Sequence, residues 1–486
     1  MHLFSLLLIV FTLGNLIVGR DVLQVLRIQT TITIFVCLFI NVGYFLDSQV
    51  ISVDYYQAAL IIQLVVSVIA LLMKKPLTRV VVNRFFICYF ICLTISLILL
   101  IVLPASNASV TGAGGYFELF MVGKKRYLSP EFTKFALFFY VLAIILAIDF
   151  IILDSLFKKD DWVRLVHLTA ISSKIIIIIV FIEFIIKNIL KSDIYFSMVT
   201  FIFGQGPSTY SQLVERGSFQ MLQGLSRECS HLAYSLTMAL ILLFADRETN
   251  PHSKFGYFWI GLAGLELLFA GSFTSVWSVF ILYLMYIAYS GYSIRAKSSG
   301  YALSKKLFIV ITLSFFLLVV AAIVISFSGK YTFSRISELF SILKKLRVYS
   351  TKYFSKNYAI TSSQTRLYSI ISTFKEFITN RPLFGLGPGT TYCYSDLMLT
   401  LSEIGLLGIV FFSRSFFDPR RDKCEKKAYL ICALLWMLYN LLTIYHGRLT
   451  VAVDIIIFVA ILKVLFVKES VELLNSESMI LPELKK

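Results

Sequence analysis

Apolar runs of membrane-crossing length recur along most of the chain, and this feature restricts the fold more than any other. A helix needs about 20 apolar residues to cross the hydrocarbon of a bilayer. Of the 486 residues, 58% are hydrophobic and only 15% are charged, which is untypical of a soluble globular domain. The sequence therefore predicts an all-α polytopic membrane protein. We expect about 13 transmembrane helices (12–14), at residues 2–19, 29–46, 55–73, 85–103, 132–157, 165–187, 229–246, 255–271, 273–293, 307–328, 396–413, 428–445 and 449–467.

The distribution of lysine and arginine over the short loops predicts the orientation. Cytoplasmic loops of membrane proteins are enriched in these cations. Every second short loop is basic, for example 74–84 and 414–427, whereas the short loops between them carry few cations. We therefore expect the basic loops in the cytoplasm and the N-terminus outside. The two long loops, 188–228 and 329–395, then also lie outside.

These spans and loops divide the chain into six segments. They are N-terminal helices (1–187), a first long periplasmic loop (188–228), central helices (229–328), a second long periplasmic loop (329–395), C-terminal helices (396–467) and a cytoplasmic tail (468–486). Apolar residues at helical spacing predict two amphipathic helices in the second loop. One begins at Ser334, and the other begins at Ser362 or Ser363 and ends before Arg381.

The net charge of +17 follows mainly from this topology, since most of the excess cations fall in the cytoplasmic loops. A nucleic-acid partner would require basic residues mixed with exposed aromatic residues, whereas the aromatic residues here fall inside apolar spans. The seven cysteines have no metal-binding spacing. The sequence therefore excludes nucleic acid as a partner and predicts no metal and no cofactor.

Three motifs share the predicted outer side. Residues 381–389 (RPLFGLGPG) precede a span that contains 401–408 (LSEIGLLG). The first loop and the following span contain RGSF at 216–219 and GLSRECSHLA at 224–233, and AGSFTSV occupies 270–276. In this order, the motifs resemble the signature region of the O-antigen polymerase and O-antigen ligase superfamily. The resemblance covers roughly residues 200–415, and the first 190 or so match only as generic membrane spans.

The resemblance implies a metal-independent membrane glycosyltransferase with the glycosyltransferase C-type fold, in the bacterial inner membrane. Such an enzyme joins undecaprenyl-pyrophosphate-linked oligosaccharide repeat units at the periplasmic face. Its partners would be the lipid-linked donor and acceptor and the surrounding membrane lipid. Whether a separate chain-length regulator binds stays open.

Pyrophosphate recognition without a metal calls for guanidinium groups, because they bind phosphate oxygens bidentately and offset the charge of the leaving group. The candidates on the outer side are Arg216, Arg227, Arg366 and Arg381. Contact with lipid headgroups is the alternative role for each. Arg381 has a further alternative, as a structural cap.

The proton acceptor for the attacking hydroxyl has three candidates, Glu228, His231 and Asp396. Pairing with Arg227 or capping of the next helix is the alternative role of Glu228, and His231 alternatively lies at the membrane interface. For both residues, the catalytic role and the alternative role stay open.

One departure from the family pattern concerns the ligases, which have a histidine nine positions before the glutamate of the glycine-rich span. That glutamate is Glu403 here, and the position holds Tyr394. The departure favours a polymerase over a ligase. Gly385 and Gly387 allow a close backbone approach, and Glu403 is expected to hydrogen-bond to the preceding glycine segment.

Charges inside the spans are costly in hydrocarbon and are usually paired or functional. Asp149 and Lys174 fall at similar depth in a predicted hairpin, so we expect an ion pair between them. Structural roles are expected for Glu266 and Asp454. A polysaccharide flippase is the alternative from another functional class, although it would favour internally repeated halves, which the sequence lacks.

Overall fold

Helices dominate the part of the chain that the computed structural model describes. This part comprises residues 2–19, 21–47, 52–74, 82–103, 119–122, 125–128, 130–204, 215–216, 219–250, 256–270, 272, 274–275, 277–285, 370–371, 373–375, 377–389, 393–418, 426–443, 445 and 448–465. The predicted span at 307–328 and the helix from Ser334 lie outside it. Of the second long loop, only its last third is described.

The helices with defined bounds are numbered in chain order. They are α1 (Leu3–Val18), α2 (Val22–Phe39), α3 (Tyr55–Lys74), α4 (Arg84–Val102), α5 (Pro130–Leu156), α6 (Lys159–Phe184), α7 (Ile194–Phe203), α8 (Cys229–Thr249), α9 (Gly256–Phe269), α10 (Asp396–Phe416), α11 (Lys426–Leu441) and α12 (Asp454–Leu465). Three short antiparallel hairpins complete the described elements: β1 (Leu46–Asp47) with β2 (Ser52–Val53), β3 (Leu119–Val122) with β4 (Lys125–Leu128), and β5 (Glu215–Arg216) with β6 (Phe219–Gln220).

Seven of the described helices are long and apolar enough to cross a membrane: α2 to α6, α8 and α10. Each follows an apolar run, and a helix satisfies most of its own backbone hydrogen bonds, as a bilayer requires. Large apolar side chains such as Val65, Ile91 and Ile98 remain about half exposed, which fits a lipid-facing surface. The prediction of a helical membrane protein is confirmed. The total of about 13 spans stays a prediction.

Two ion pairs join neighbouring helices near one end of the bundle. At the end predicted to be cytoplasmic, Arg27 of α2 pairs with Asp161 of α6 at 2.8 Å, and Lys463 of α12 pairs with Asp154 of α5. The contacts described below lie at the other end. Which end of the bundle faces the cytoplasm stays a prediction.

The predicted ion pair between Asp149 and Lys174 is wrong. Asp149 is fully buried, and neither of its carboxylate oxygens meets a hydrogen-bonding partner within the described residues. Lys174 lies on a partly exposed face of α6, so equal depth in the membrane does not bring the two side chains together.

The C-terminal helices also differ from the predicted spans. The sequence predicts helices at 428–445 and 449–467, whereas α11 ends at Leu441 and α12 begins at Asp454. Between them lies a 3₁₀ turn, Leu449–Val451, which is fully buried. Backbone groups here bond to α10 instead of continuing a helix: the N–H of Leu449 donates to Thr400 Oγ1 at 2.7 Å.

A break in the middle of α10 is the feature that most affects the outer half of the bundle. Gly405 has φ +76° and ψ 178°, which is not helical. Residues 381–389, which we call the glycine segment, fill the break. Their N–H groups at Leu386 and Gly387 donate to the carbonyls of Ser402 (2.7 Å) and Glu403 (3.0 Å).

The carbonyls of the glycine segment complete the exchange. Pro382 accepts from the N–H of Leu406 at 2.9 Å, and Leu383 accepts from that of Leu407 at 3.2 Å. Non-helical backbone at membrane depth is tolerated only where it is satisfied inside the protein, and these four bonds meet that requirement.

Candidate functional site

The ends of α2, α3 and α8 converge on the side predicted to be external, and five polar or aromatic residues meet there: Asn41, Tyr44, Asp54, Arg227 and His231. We call this group the outer site. Asn41 and Tyr44 follow α2, Asp54 follows β2, and Arg227 and His231 flank the start of α8. Three separate parts of the sequence therefore contribute to it.

The chain before Arg227 is fixed from two directions. The N–H of Asn41 donates to the carbonyl of Leu225 at 2.8 Å. From α6, the buried Glu183 accepts from the N–H groups of Gln223 (3.0 Å) and Gly224 (2.6 Å). Gly224 has φ +57°, a conformation that favours glycine. The motif at 224–233 thus begins with a turn that is held against α6.

Glu183 is itself held by a cation. Lys187 donates to it at 2.6 Å, and both side chains are nearly fully buried. Lys187 lies in a π-helical turn, Ile185–Ile189, that continues α6. Such turns are rare and often accompany functional sites. Here the turn directs Lys187 to Glu183, the residue that binds the backbone of the first long loop.

Arg227 is the cation of the outer site. Its guanidinium carbon lies 5.3 Å from the centroid of the Tyr44 ring, and Nη2 lies 3.4 Å from Oδ1 of Asp54. The side chain is 38% exposed and that of Asp54 is 31% exposed. A charge-assisted hydrogen bond is usually about 2.7–2.9 Å long, so this ion pair is loose. Arg227 therefore lies on an aromatic support with part of its surface open to an anionic group.

His231 lies one helical turn into α8. The Asn41 side-chain amide donates to its Nδ1 at 2.8 Å, which leaves the ring proton on Nε2. The ring stands edge-on to Tyr445 with 5.6 Å between centroids. The ring is thus held from two sides, and His231 is a positioned rather than a mobile interface residue.

Glu228 takes neither of the two alternative roles considered for it. It occupies the N-cap position of α8 without a side-chain cap, and Arg227 pairs with Asp54 instead. The exposed Glu228 carboxylate accepts from Ser230 Oγ at 3.3 Å.

Asp396 is fully buried at the first turn of α10. Its Oδ2 accepts from the N–H of Tyr445 at 3.0 Å, and its own N–H donates to the carbonyl of Thr443 at 2.9 Å. In this geometry Asp396 holds the segment between α11 and α12, and its role as a proton acceptor stays a prediction.

Arg381 caps a helix instead of pointing to an anion. Its Nη1 donates to the carbonyl of Leu99 at 3.0 Å, and its Nη2 donates to that of Leu103. These carbonyls belong to the end of α4, where the Leu99 carbonyl also accepts from the N–H of Leu103 at 3.0 Å. Cations stabilise this end of a helix. These contacts fit the structural alternative for Arg381, and its role in pyrophosphate binding stays a prediction.

Glu403 lies at the centre of the junction between the glycine segment and α10. Its Oε1 accepts from the N–H of Gly389 at 2.7 Å, which confirms the predicted bond to the glycine segment. Both carboxylate oxygens also accept from Nε of Arg448, at 2.8 and 2.9 Å. The two side chains are 3% and 8% exposed, and Phe139 covers the guanidinium at 3.8 Å.

Gly385 and Gly387 show the close approach that the sequence predicts. A Cβ on Gly385, at φ +79°, would lie 2.3 Å from the carbonyl oxygen of Glu403, and one on Gly387 would lie 2.4 Å from Leu100. Gly385 therefore packs against the broken part of α10, and Gly387 packs against α4.

Tyr394 lies half-buried at the bend before Ser395, whose hydroxyl caps α10 by accepting from the N–H of Met398 at 3.1 Å. Two of the predicted arginines fall wholly or partly outside the described residues. Arg216 belongs to β5 with its side chain outside the described part, and Arg366 lies outside the described residues.

Asp54 and Arg448 are the site residues that the sequence interpretation missed. Asp54 is 173 positions from Arg227 and follows a strand of two residues, so no local pattern connects them. Arg448 looks like an ordinary cation of a short outer loop. The one signal in the sequence was its position shortly before a predicted intramembrane carboxylate, Asp454.

No protein-family model, curated protein or solved structure matches this chain.

Proposed function

We propose that this chain is a membrane glycosyltransferase that joins undecaprenyl-pyrophosphate-linked oligosaccharide repeat units on the outer face of the bacterial inner membrane, as an O-antigen polymerase does. The observation that carries the proposal is Arg227, partly exposed on the Tyr44 ring beside Asp54. A pyrophosphate leaving group needs such a cation when no metal neutralises it. The motif resemblance supplies the substrate class, and Tyr394 in place of the ligase histidine favours the polymerase.

The first test replaces the cation. Purified protein in liposomes receives a synthetic undecaprenyl-pyrophosphate-linked repeat unit, and the products are separated by chain length. Wild-type protein should form a ladder of extended chains. Arg227→Ala should lower the initial rate by about 100-fold or more, since the charge on the leaving group is then uncompensated.

Arg227→Lys distinguishes this role from contact with lipid headgroups. Lysine retains the charge but loses the bidentate fork and the stacking on Tyr44, so the rate should still fall by about tenfold. Headgroup contact alone would leave Arg227→Lys equal to wild type. Lys134→Ala, an exposed outer cation on α5, is the matched control and should extend chains normally.

A flippase is a second candidate because α10 is broken at Gly405, and transporters often have broken helices around their substrate. The break here is closed by four backbone bonds to the glycine segment, which argues for a structural junction. Movement of the unextended lipid-linked unit between leaflets, with no ladder formed, would support the flippase and overturn the polymerase.

A further inference from the structure

Asp54 is the carboxylate that directly faces the candidate pyrophosphate-binding cation. It lies at the junction of β2 and α3, and its Oδ1 is 3.4 Å from Nη2 of Arg227. About a third of its side chain is exposed. A group at this position would lie next to a pyrophosphate held by the arginine.

The local backbone holds Asp54 in one orientation. Its N–H donates to Oε1 of Gln57 at 2.9 Å, and Nε2 of Gln57 lies 3.5 Å from Oδ2 of Asp54. The same amide donates to Tyr56 Oη at 3.1 Å. This is one half of the reciprocal capping arrangement found at helix starts. With Oδ2 directed to Gln57, Oδ1 is the oxygen that faces Arg227.

The other three candidates for the proton acceptor are less suited to the task. Asp396 is fully buried and bound to the backbone of Tyr445. His231 uses Nδ1 for Asn41. Glu228 is exposed and accepts from Ser230 Oγ, and the structure shows no contact between its carboxylate and Arg227 among the described residues.

We propose that Asp54 is the catalytic proton acceptor of the glycosyl transfer, an inference that rests on the proposed function. A hydroxyl of the acceptor glycan attacks the anomeric carbon of the donor, and a new C–O bond forms. The bond from that carbon to the pyrophosphate oxygen breaks, and its electron pair leaves with the lipid pyrophosphate. The hydroxyl proton passes to Oδ1 of Asp54, while Arg227 balances the charge on the departing pyrophosphate.

Binding of the donor prepares the base. Burial raises the pKa of Asp54, and the Arg227 guanidinium opposes the rise. Pyrophosphate that engages Arg227 weakens this opposing effect, so the pKa of Asp54 rises further toward the range in which a carboxylate is an effective base. Among the described residues, the Tyr56 phenol also interacts electrostatically with Asp54, and as a neutral group it leaves this direction unchanged.

The test separates donor binding from turnover. Asp54→Asn keeps the shape and the capping geometry but accepts no proton, so the rate of chain extension should fall by about 100-fold to 10,000-fold. Its affinity for undecaprenyl pyrophosphate in nanodiscs should equal or exceed that of wild type, because Arg227 loses a competing partner. Arg227→Ala should lose this affinity.

A pH profile adds a readout that a structural role would not move. For wild type, kcat/KM should rise with pH through the raised pKa of Asp54, because only the ionised carboxylate accepts the proton. Asp54→Glu should retain some activity with this limb displaced, and Asp54→Asn should lose the limb. Asp193→Asn, an exposed outer carboxylate before α7, is the matched control and should keep both the rate and the limb.

The outcomes are distinct. An active wild type together with an Asp54→Asn variant within about threefold of its rate overturns the role of Asp54 and leaves the polymerase in place. The role of Asp54 as proton acceptor is also overturned if Asp54→Asn loses donor affinity and turnover to the same extent, because the substitution then affects binding and not proton transfer. A wild type that binds undecaprenyl pyrophosphate but never extends a chain overturns the proposed function and this inference with it.

Discussion

Two carboxyl groups buried in the bundle, Asp149 and Glu403, differ in what surrounds them. Asp149 lies near the Ser67 hydroxyl and has no counter-ion among the described residues, whereas Glu403 accepts from Arg448 and from the N–H of Gly389. An isolated ionised carboxylate in an apolar interior costs far more than protonation does. Asp149 is therefore carried as the neutral acid and Glu403 as the carboxylate.

The amide variants should separate the two residues. Asp149→Asn replaces one neutral group by another of similar shape, so the free energy of unfolding should change by less than about 1 kcal/mol. Glu403→Gln leaves the Arg448 guanidinium buried without its counter-ion, at a cost of about 3–5 kcal/mol. Thermal unfolding of both variants in detergent checks this. Equal losses would contradict the assignment of charge.

Residues that interact across long stretches of sequence were the hardest to predict. The bond from Gly389 to Glu403 spans 14 positions and follows from one motif. Arg227 was predicted as a cation of the site, but its partner Asp54 comes from a loop that matches no motif. Asp149 shows a different error, since it was predicted to pair with Lys174 because the two lie at similar depth. Similar depth predicts a pair only if the two side chains also point toward each other from their helices.

At the level of secondary structure, Gly405 shows how the outer half of α10 depends on a single residue. Its φ of +76° is costly for any residue with a Cβ, and that atom would lie 2.2 Å from the carbonyl oxygen of Leu383. Gly405→Ala should therefore lower the free energy of unfolding by at least about 2 kcal/mol.

Gly264→Ala provides the matched control for that substitution. Gly264 lies inside α9, and a Cβ added there would have no atom within 4 Å among the described residues outside its own helix backbone. Alanine is the better helix former there, so stability should stay equal or rise by up to about 1 kcal/mol. The same unfolding measurement serves both variants, and a smaller loss for Gly405→Ala than for Gly264→Ala would contradict the proposed junction.

The helices themselves were largely predictable, and the interruptions were not. Length and continuous hydropathy place α4 and α5 within a few residues of the predicted spans. The same property hides the break at Gly405 and the buried turn before Asp454, because an apolar run does not reveal where its backbone leaves the helix. The helix α7 was also missed, because its ten mostly apolar residues inside the first long loop are too few for a span.

On the scale of the whole molecule, the outer site and the glycine segment form one connected unit. Tyr445 donates from its hydroxyl to the carbonyl of Leu38 at 2.7 Å and packs on His231. Its N–H bonds to Asp396 at the start of α10, and Arg448 follows shortly after in the chain with its bonds to Glu403. The second long loop is thereby joined at its end to the site beside the first.

The proposed reaction requires this unit to face away from the cytoplasm, which single cysteines can test. Asp193→Cys lies at the end of the outer site, and Arg164→Cys lies on α6 at the opposite end; both positions are exposed. In intact spheroplasts, a membrane-impermeant maleimide should label Asp193→Cys above the wild-type background and leave Arg164→Cys unlabelled until the membrane is permeabilised. We expect this pattern because the loops at the end where Arg164 lies are rich in lysine and arginine, which is typical of cytoplasmic loops. The reverse pattern would put Arg227 and Asp54 in the cytoplasm, where no lipid-linked repeat unit is polymerised by the proposed route, and the function would have to be abandoned while the fold stayed intact.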